Sequence, residues 1–277
     1  MRIGRVAVSH TSKGESIPAI GEVFRFWIVT NKYIKVVRSG ERTNAAGKPV
    51  SNIILLSISD DDYSSLRPHL EYVNLPNHQV LHEAGGKLEF VYFPNRGLIS
   101  LVVVMKDGRT AEAGVVGNEG FTGAPAAVGL SRGPLRAVVQ ITGDGFRAKV
   151  GALQKTLEAA PHFRLLLNRY VAIRGMQIAQ TAACNRLHGI EQRLARWLLM
   201  TQDRVDSGSL RITHDFLATM LGTDRPSVSL AAGVLQKKGF IEYARGAVKI
   251  TNRKKLESST CECYAVIRQY DGELGLK

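Results

Sequence analysis

Read for the spacing of its apolar residues, the chain passes from no period to a helical one, then to alternation, then back to helix. Residues 1–50 hold no sustained pattern, although Phe24-Arg-Phe-Trp-Ile-Val29 is a candidate short strand. From Asn52 to Leu70 the residues Ile54, Leu55, Ile58, Leu66 and Leu70 fall at helical intervals. Alternation follows in Glu71–Leu75, Gln79–His82, Phe90–Phe93, Gly97–Met105, Thr110–Val116 and Ala137–Ile141, with Asp107-Gly108 as a hairpin turn. Short strands at such close spacing predict a small antiparallel sandwich or roll.

Helix returns after Gly145. Pro161 divides a shorter helix from a long one, His162 to about Leu187, roughly 39 Å at ~1.5 Å per residue. Phe163, Leu166, Tyr170, Ile173, Gln177, Gln180, Cys184 and Leu187 step alternately by three and four, as in a heptad seam. Leu167, Val171 and Ile178 broaden it, so one side can pack on the roll while the other meets a second copy. Burial within one chain is the competing reading; a length beyond what a small roll covers favours dimerisation. Ile190, Leu194, Trp197, Leu198 and Thr201 then mark an amphipathic helix.

The run Thr213–Ile241 reads as two short helices about a tight turn. Thr213 is a good N-cap, Gly222 supplies a left-handed stop, Asp224 caps the next helix and Pro226 fits its first turn. The first helix has an apolar stripe of Phe216, Leu217, Met220 and Leu221; the second has Val228, Ala231, Ala232 and Leu235. Its other side carries Arg225, Ser229, Leu230, Gly233 and Lys237. This pattern fits a helix-turn-helix whose second helix enters a major groove, and equally an ordinary helical hairpin. Two short strands over Gly239–Thr251, turning at Arg245-Gly246, favour the former by adding a basic wing, with Leu210–Thr213 placed to pair with it.

A chain of 277 residues that is 44% hydrophobic can bury a large core and predicts two domains. No apolar run approaches the ~18 residues of a membrane span, and no signal-peptide pattern is present. Three cysteines are too few for a disulfide framework and suit a reducing cytoplasm. The net charge of +13 suits a polyanionic partner. Part of that excess sits in residues 1–50, a basic extension expected to be poorly ordered, which either touches DNA phosphates or lies outside the functional protein.

Roll, long helix and winged helix in this order resemble the Crp/Fnr family of bacterial transcription regulators. The likeness spans about Asn52 to Leu256. It is strongest in Arg193-Leu-Ala-Arg-Trp-Leu-Leu199, Leu217-Ala-Thr-Met-Leu-Gly-Thr-Asp-Arg-Pro-Ser-Val-Ser229 and Leu235-Gln-Lys-Lys-Gly-Phe-Ile241. The resemblance implies an α+β chain with an N-terminal antiparallel, cyclic-nucleotide-binding-like roll over 51–160. A dimerisation helix over 161–187, a winged helix-turn-helix over 188–258 and a C-terminal tail over 259–277 would follow. It further implies a homodimer on a two-fold-related promoter site in double-stranded DNA, RNA polymerase as a partner and an unknown small-molecule effector.

Set against the family pattern, the sensor cassette is degenerate. Where cyclic-AMP binders have Phe-x-Gly-Glu, this chain has Phe121-Thr-Gly123-Ala124; where they have Arg followed by Ser or Thr, it has Arg136-Ala137. Gly123, Ala124 and Arg136 are thus the expected effector positions, and loss of two of three polar anchors argues against a cyclic nucleotide. In the reading helix the family's Arg-Glu-Thr-Val-x-Arg becomes Arg225-Pro226-Ser227-Val228-Ser229-Leu230. Arg225 suits a guanine, Ser227 and Ser229 a base or phosphate, and Leu230 a thymine methyl unless it is merely an exposed leucine. Thr213, His214, Lys237 and Arg245 are expected on the DNA backbone. The half-site should therefore differ from the family's best-known one.

Other chemistries find less support. His78, His82 and Glu83 lack the His-x-His spacing of a cupin metal site, so a metal enzyme is the lesser alternative. Phe240 and Tyr243 are too few for an RNA-stacking sheet, leaving non-specific nucleic-acid binding as a second alternative. No local motif marks a catalytic triad or phosphate loop. Cys261-Glu-Cys263 offers two thiolates with no histidine set close by in sequence; ordinary residues, a redox switch and a metal site all stay open, and no metal or cofactor is expected.

Overall fold

The computed structural model describes residues 37–205, 207, 209–244 and 246–274. The candidate strand Phe24–Val29 and the wing residue Arg245 lie outside them. The extension expected over 1–50 overlaps the folded body in its described part. Val50 is fully buried. Arg42 is buried too, its guanidinium over the Tyr63 ring at 4.6 Å and bonded to the carbonyls of Leu55 at 2.6 Å and Ile58 at 2.9 Å. Asn44 donates to Leu70 O at 3.0 Å. A basic residue here is structural, which composition alone does not distinguish from a phosphate contact.

Two short helices, α1 (Ile53–Ser57) and α2 (Asp60–Leu66), replace the single expected one. Asn52 caps the first by accepting from Leu55 N, and Ser59 caps the second by accepting from Asp62 N. Two N-caps this close restart the helix rather than continue it.

The roll is built from β1 (Glu71–Leu75), β2 (Val80–His82), β3 (Phe90–Val104), β4 (Thr110–Val116) and β5 (Arg136–Lys149), all pairing antiparallel. The order is β1-β5-β3-β4, with β2 also on β5. The strands expected at Phe90–Phe93 and Gly97–Met105 are one strand. It runs through Pro94 because the register shifts between Pro94 and Ile99, so the missing proline N–H breaks no regular ladder. Strand β5 likewise runs past Ile141. Any Cβ on Gly143 or Gly145 would overlap the carbonyls of Arg96 and Phe93, so these glycines permit close strand approach instead of ending the strand.

Helix α3 (Val150–Ala159) leads into α4 (Pro161–Leu187) and α5 (Ile190–Gln202). The predicted seam of α4 is largely inside the chain. Phe163, Leu166, Tyr170, Ile173, Gln177 and Cys184 are buried, and only its end, Leu187, is well exposed. Tyr170 donates its hydroxyl to Phe121 O at 3.2 Å and accepts from Phe121 N at 3.3 Å. Gly120 makes room for that hydroxyl, since a Cβ there would overlap it. Of the two sides expected of this helix, one on the roll and one against a second copy, the side carrying Phe163, Leu166, Tyr170 and Ile173 is the one packed on the roll. The open side is the opposite one, with Leu165, Ala172, Gly175, Met176, Ala179 and Ala183 exposed.

The winged unit follows as β6 (Ser209–Arg211), α6 (His214–Leu221), α7 (Arg225–Lys237), β7 (Ile241–Ala244) and β8 (Ala247–Ile250), its sheet ordered β6-β8-β7. After α8 (Arg253–Glu257), the expected tail is the helix α9 (Cys263–Glu273), which buries Tyr264 and Ile267 and reaches α4, where Gln177 donates to Asp271 at 2.7 Å. Buried polar links join the units. Trp197 of α5 and Ser100 of β3 both donate to Glu112 of β4 at 2.7 Å. Arg204 bonds Glu119 at 2.7 Å and Asp271 at 3.0 Å. Among the described residues no helix is long and apolar enough to cross a membrane.

Candidate nucleic-acid interface

The helix pair is positioned by local chemistry. Thr213 Oγ1 accepts from Phe216 N at 3.2 Å to start α6, and Gly222, at φ 58 and ψ 45, ends it in the left-handed region. Asp224 accepts from Ser227 N at 2.8 Å and from the Ser227 hydroxyl at 3.0 Å to start α7. These bonds hold the carboxyl of Asp224 below its usual range. Val228, Ala231, Ala232 and Leu235 face inward, against a core that includes Leu194, Leu198 and Leu217. Small residues at 231 and 232 let the helices approach closely.

What this leaves outward on α7 is Arg225, Pro226, Leu230, Gly233, Val234 and Lys237, all exposed. Leu230 is 73% exposed, a large apolar side chain without cover at mid-helix. Arg225 has only a loose ion pair with Asp215 at 3.6 Å, both side chains being mostly in solvent. Arg211 on β6 and Lys249 on β8 add exposed positive charge on the paired strands of the wing sheet.

Four of the expected contacts have internal partners. Ser227 completes the cap. Ser229 bonds His214 Nδ1 at 2.9 Å. The His214 ring lies 4.1 Å from that of Tyr243, and its Nε2 is buried. Partial burial, and then the nearby Arg225 charge, hold its pKa below the ordinary histidine value. His214 is therefore neutral at pH 7 and ties α6, α7 and the wing together, where the sequence suggested a phosphate contact. Thr213 uses its hydroxyl for the cap. Tyr243 completes the brace by donating to Ile212 O at 3.1 Å.

Residues 192–259 match the family pattern described as the Crp-like helix-turn-helix domain. The chain carries a Crp-like helix-turn-helix domain. No curated protein matches the chain. Among solved structures it is similar to the c-di-GMP-responsive global regulator CLP of Xanthomonas campestris, with 15% identity, TM-score 0.58, and coverage of 69% of this chain and 99% of that one. FixK2 from Bradyrhizobium japonicum gives 16%, 0.59, and 69% and 98%. A Crp-family transcriptional regulator of Thermus thermophilus gives 20%, 0.55, and 68% and 95%. At these identities the likeness is one of fold: a cyclic-nucleotide-binding type of roll followed by a winged helix-turn-helix.

Ahead of the Crp-like domain, the roll encloses a cavity of about 260 Å³. Leu88, Leu101, Leu130, Leu135 and Ile178 make it apolar, and Gly123 and Ala124 line it as expected. Arg136 does not line it. That residue is at the surface, paired with Glu83 at 2.9 Å, because strand alternation turns Leu135 and Ala137 inward instead. The polar groups present are others. His82 bonds Thr122 at 3.1 Å, and burial lowers its pKa to about 4. Arg174 of α4 is 7% exposed; it donates to Gln177 at 2.7 Å while its Nε and Nη2 have no partner among the described residues. Sequence reasoning missed Arg174, since it stands on the buried side of a helix read as a dimer seam.

The cupin alternative fails on placement. His78 sits in an exposed turn against Asn77 at 3.3 Å, while His82 points inward to Thr122. They share no centre with Glu83.

Proposed function

We propose that this protein is a homodimeric, sequence-specific transcription regulator of the Crp/Fnr type, acting on RNA polymerase from a two-fold-related promoter site in the cytoplasm. The observation that carries the reading is the outward face of α7, held by the caps at Thr213 and Asp224 and left without cover by the described residues. Arg225, at the start of that helix, would read a guanine bidentately, and Leu230 would cover a thymine methyl. Lys237, and Arg245 on the wing, would neutralise phosphates, giving affinity without sequence information. Pro226 occupies the place of the family's cytosine-reading Glu, so the preferred half-site should differ. The dimer would form through the open side of α4, where small residues allow two helices to approach.

The effector is better suited to the apolar cavity than a cyclic nucleotide is. Its class would be a small, largely hydrocarbon molecule carrying one anionic or hydrogen-bond-accepting group, met by Arg174. No catalytic role is assigned. Selection of duplexes from random DNA by the full-length protein tests the reading. It expects a palindromic site with conserved half-site spacing; a protein that stays monomeric and holds every duplex equally overturns it. Calorimetry with cyclic AMP should show no tight binding.

A further inference from the structure

The chain has three cysteines, and the fold brings all of them to one point. Cys184 lies one turn before the end of α4, and His188 is its C-cap, so the i, i+4 spacing puts thiol and imidazole on one side of the helix. Cys261 and Cys263 arrive from the turn that opens α9. Cys184 Sγ is 3.5 Å from Cys261 Sγ, and Cys263 Sγ is 3.6 Å from His188 Nδ1. The four ligand atoms all lie within 4.8 Å of one another, and the three thiols are buried. Among the described residues this is the one cluster of three or more metal-type ligands. The sequence-based view that these thiols lack a histidine is corrected: the histidine comes from a helix 75 residues away in the chain.

We infer that Cys184, His188, Cys261 and Cys263 form a tetrahedral site for one Zn²⁺ that fastens the C-terminal helix over the junction of α4 and α5. Three sulfurs and one imidazole nitrogen are a common closed set for structural zinc. The spread of the ligand atoms suits a single ion and is too narrow to span a multi-iron cluster. Surroundings agree. The other ring nitrogen of His188 faces Glu262 Oε1 at 3.4 Å, the carboxylate–histidine arrangement that fixes a ligand's orientation. Gln180 donates to Cys263 Sγ at 3.0 Å. Zinc bound by three thiolates and a neutral imidazole has net charge −1, the thiol protons passing to solvent. A cation is at hand: Arg196 is 3% exposed, its charge acts on Cys184, and its Nε has no hydrogen-bond partner among the described residues.

The site stands apart from the DNA-reading face and does not depend on it. Its test is the metal content of full-length protein purified under reducing conditions without chelator. One zinc per chain is expected, and Co²⁺ in its place should give the visible d–d bands of tetrahedral thiolate coordination. Cys261→Ser and Cys263→Ser should each abolish stoichiometric zinc, and Glu262→Gln should weaken binding about tenfold. If a cysteine variant fails to fold, cobalt titration of the unaltered protein still decides the matter. Reduced protein that takes up neither zinc nor cobalt, or that is isolated metal-free with a Cys184–Cys261 disulfide, overturns the inference.

Discussion

Helices α4 and α7 each bury one side and leave the other open, and they differ in what stands on the open side. On α4 a stripe of small residues, Ala172, Gly175, Ala179 and Ala183, runs with Leu165 and Met176 among the exposed Asn168, Arg169 and Arg186. On α7 it is mixed: Arg225, Pro226, Leu230, Val234 and Lys237. A stripe of small residues offers another helix close approach, with polar groups at its margins to bond across the contact. A face with a guanidinium at the helix start and an isolated leucine in the middle offers hydrogen-bond donors and one methyl-sized contact. The first suits a second copy of the chain, and the second suits the edge of a base pair.

The largest effect should come from breaking the α4 side. Ala172→Glu with Ala179→Glu places like charges against each other in a dimer, and sedimentation should show monomers. Loss of two-point attachment should then weaken operator binding by about a hundredfold or more. A double variant that remains dimeric would move the interface elsewhere.

The inner side of α4 borders the cavity that holds His82, and pH probes it. The depressed pKa of His82 means the native state favours its neutral form. That stabilisation is complete above pH 6.5 and is lost as pH falls towards about 4. It amounts to about 3 kcal/mol. His82→Gln should flatten the acid limb of a plot of urea midpoint against pH; an unchanged limb would locate acid sensitivity in another group.

On α7, Arg225→Ala should cost about 1–3 kcal/mol of operator binding and relax preference at one base pair, with the dimer intact. Lys237→Ala should weaken all sequences alike and reduce the slope of log affinity against log salt by about 1. Leu230→Ala is expected to be the mildest, about 1 kcal/mol, and only where the site has a thymine. Competition with a duplex carrying uracil at that position separates methyl contact from general packing.

Much of this was legible because it is local. The caps at Thr213 and Asp224, the stop at Gly222 and the strands Glu71–Leu75 and Thr110–Val116 depend on neighbours within a few residues, and each stands where the pattern put it. The failures are of one kind. Pro94, Gly143 and Gly145 look like strand breakers until the partner strand is in place. Ser229 and His214 look like DNA contacts until their bond to each other is seen. Arg42 looks like loose positive charge until Tyr63 lies beneath it.

By itself, the sequence determined the order of elements and which side of each helix is apolar, because period and capping act over a few residues. Only the tertiary structure decided what covers each side. The roll covers Phe163, Leu166, Tyr170 and Ile173 while α9 and its opening turn cover Gln177 and Cys184, Arg174 stands at the cavity in place of Arg136, and three scattered thiols meet one imidazole. Periodicity names a face but not its neighbour, and residues distant in the chain acquire a common chemistry only when folding makes them adjacent.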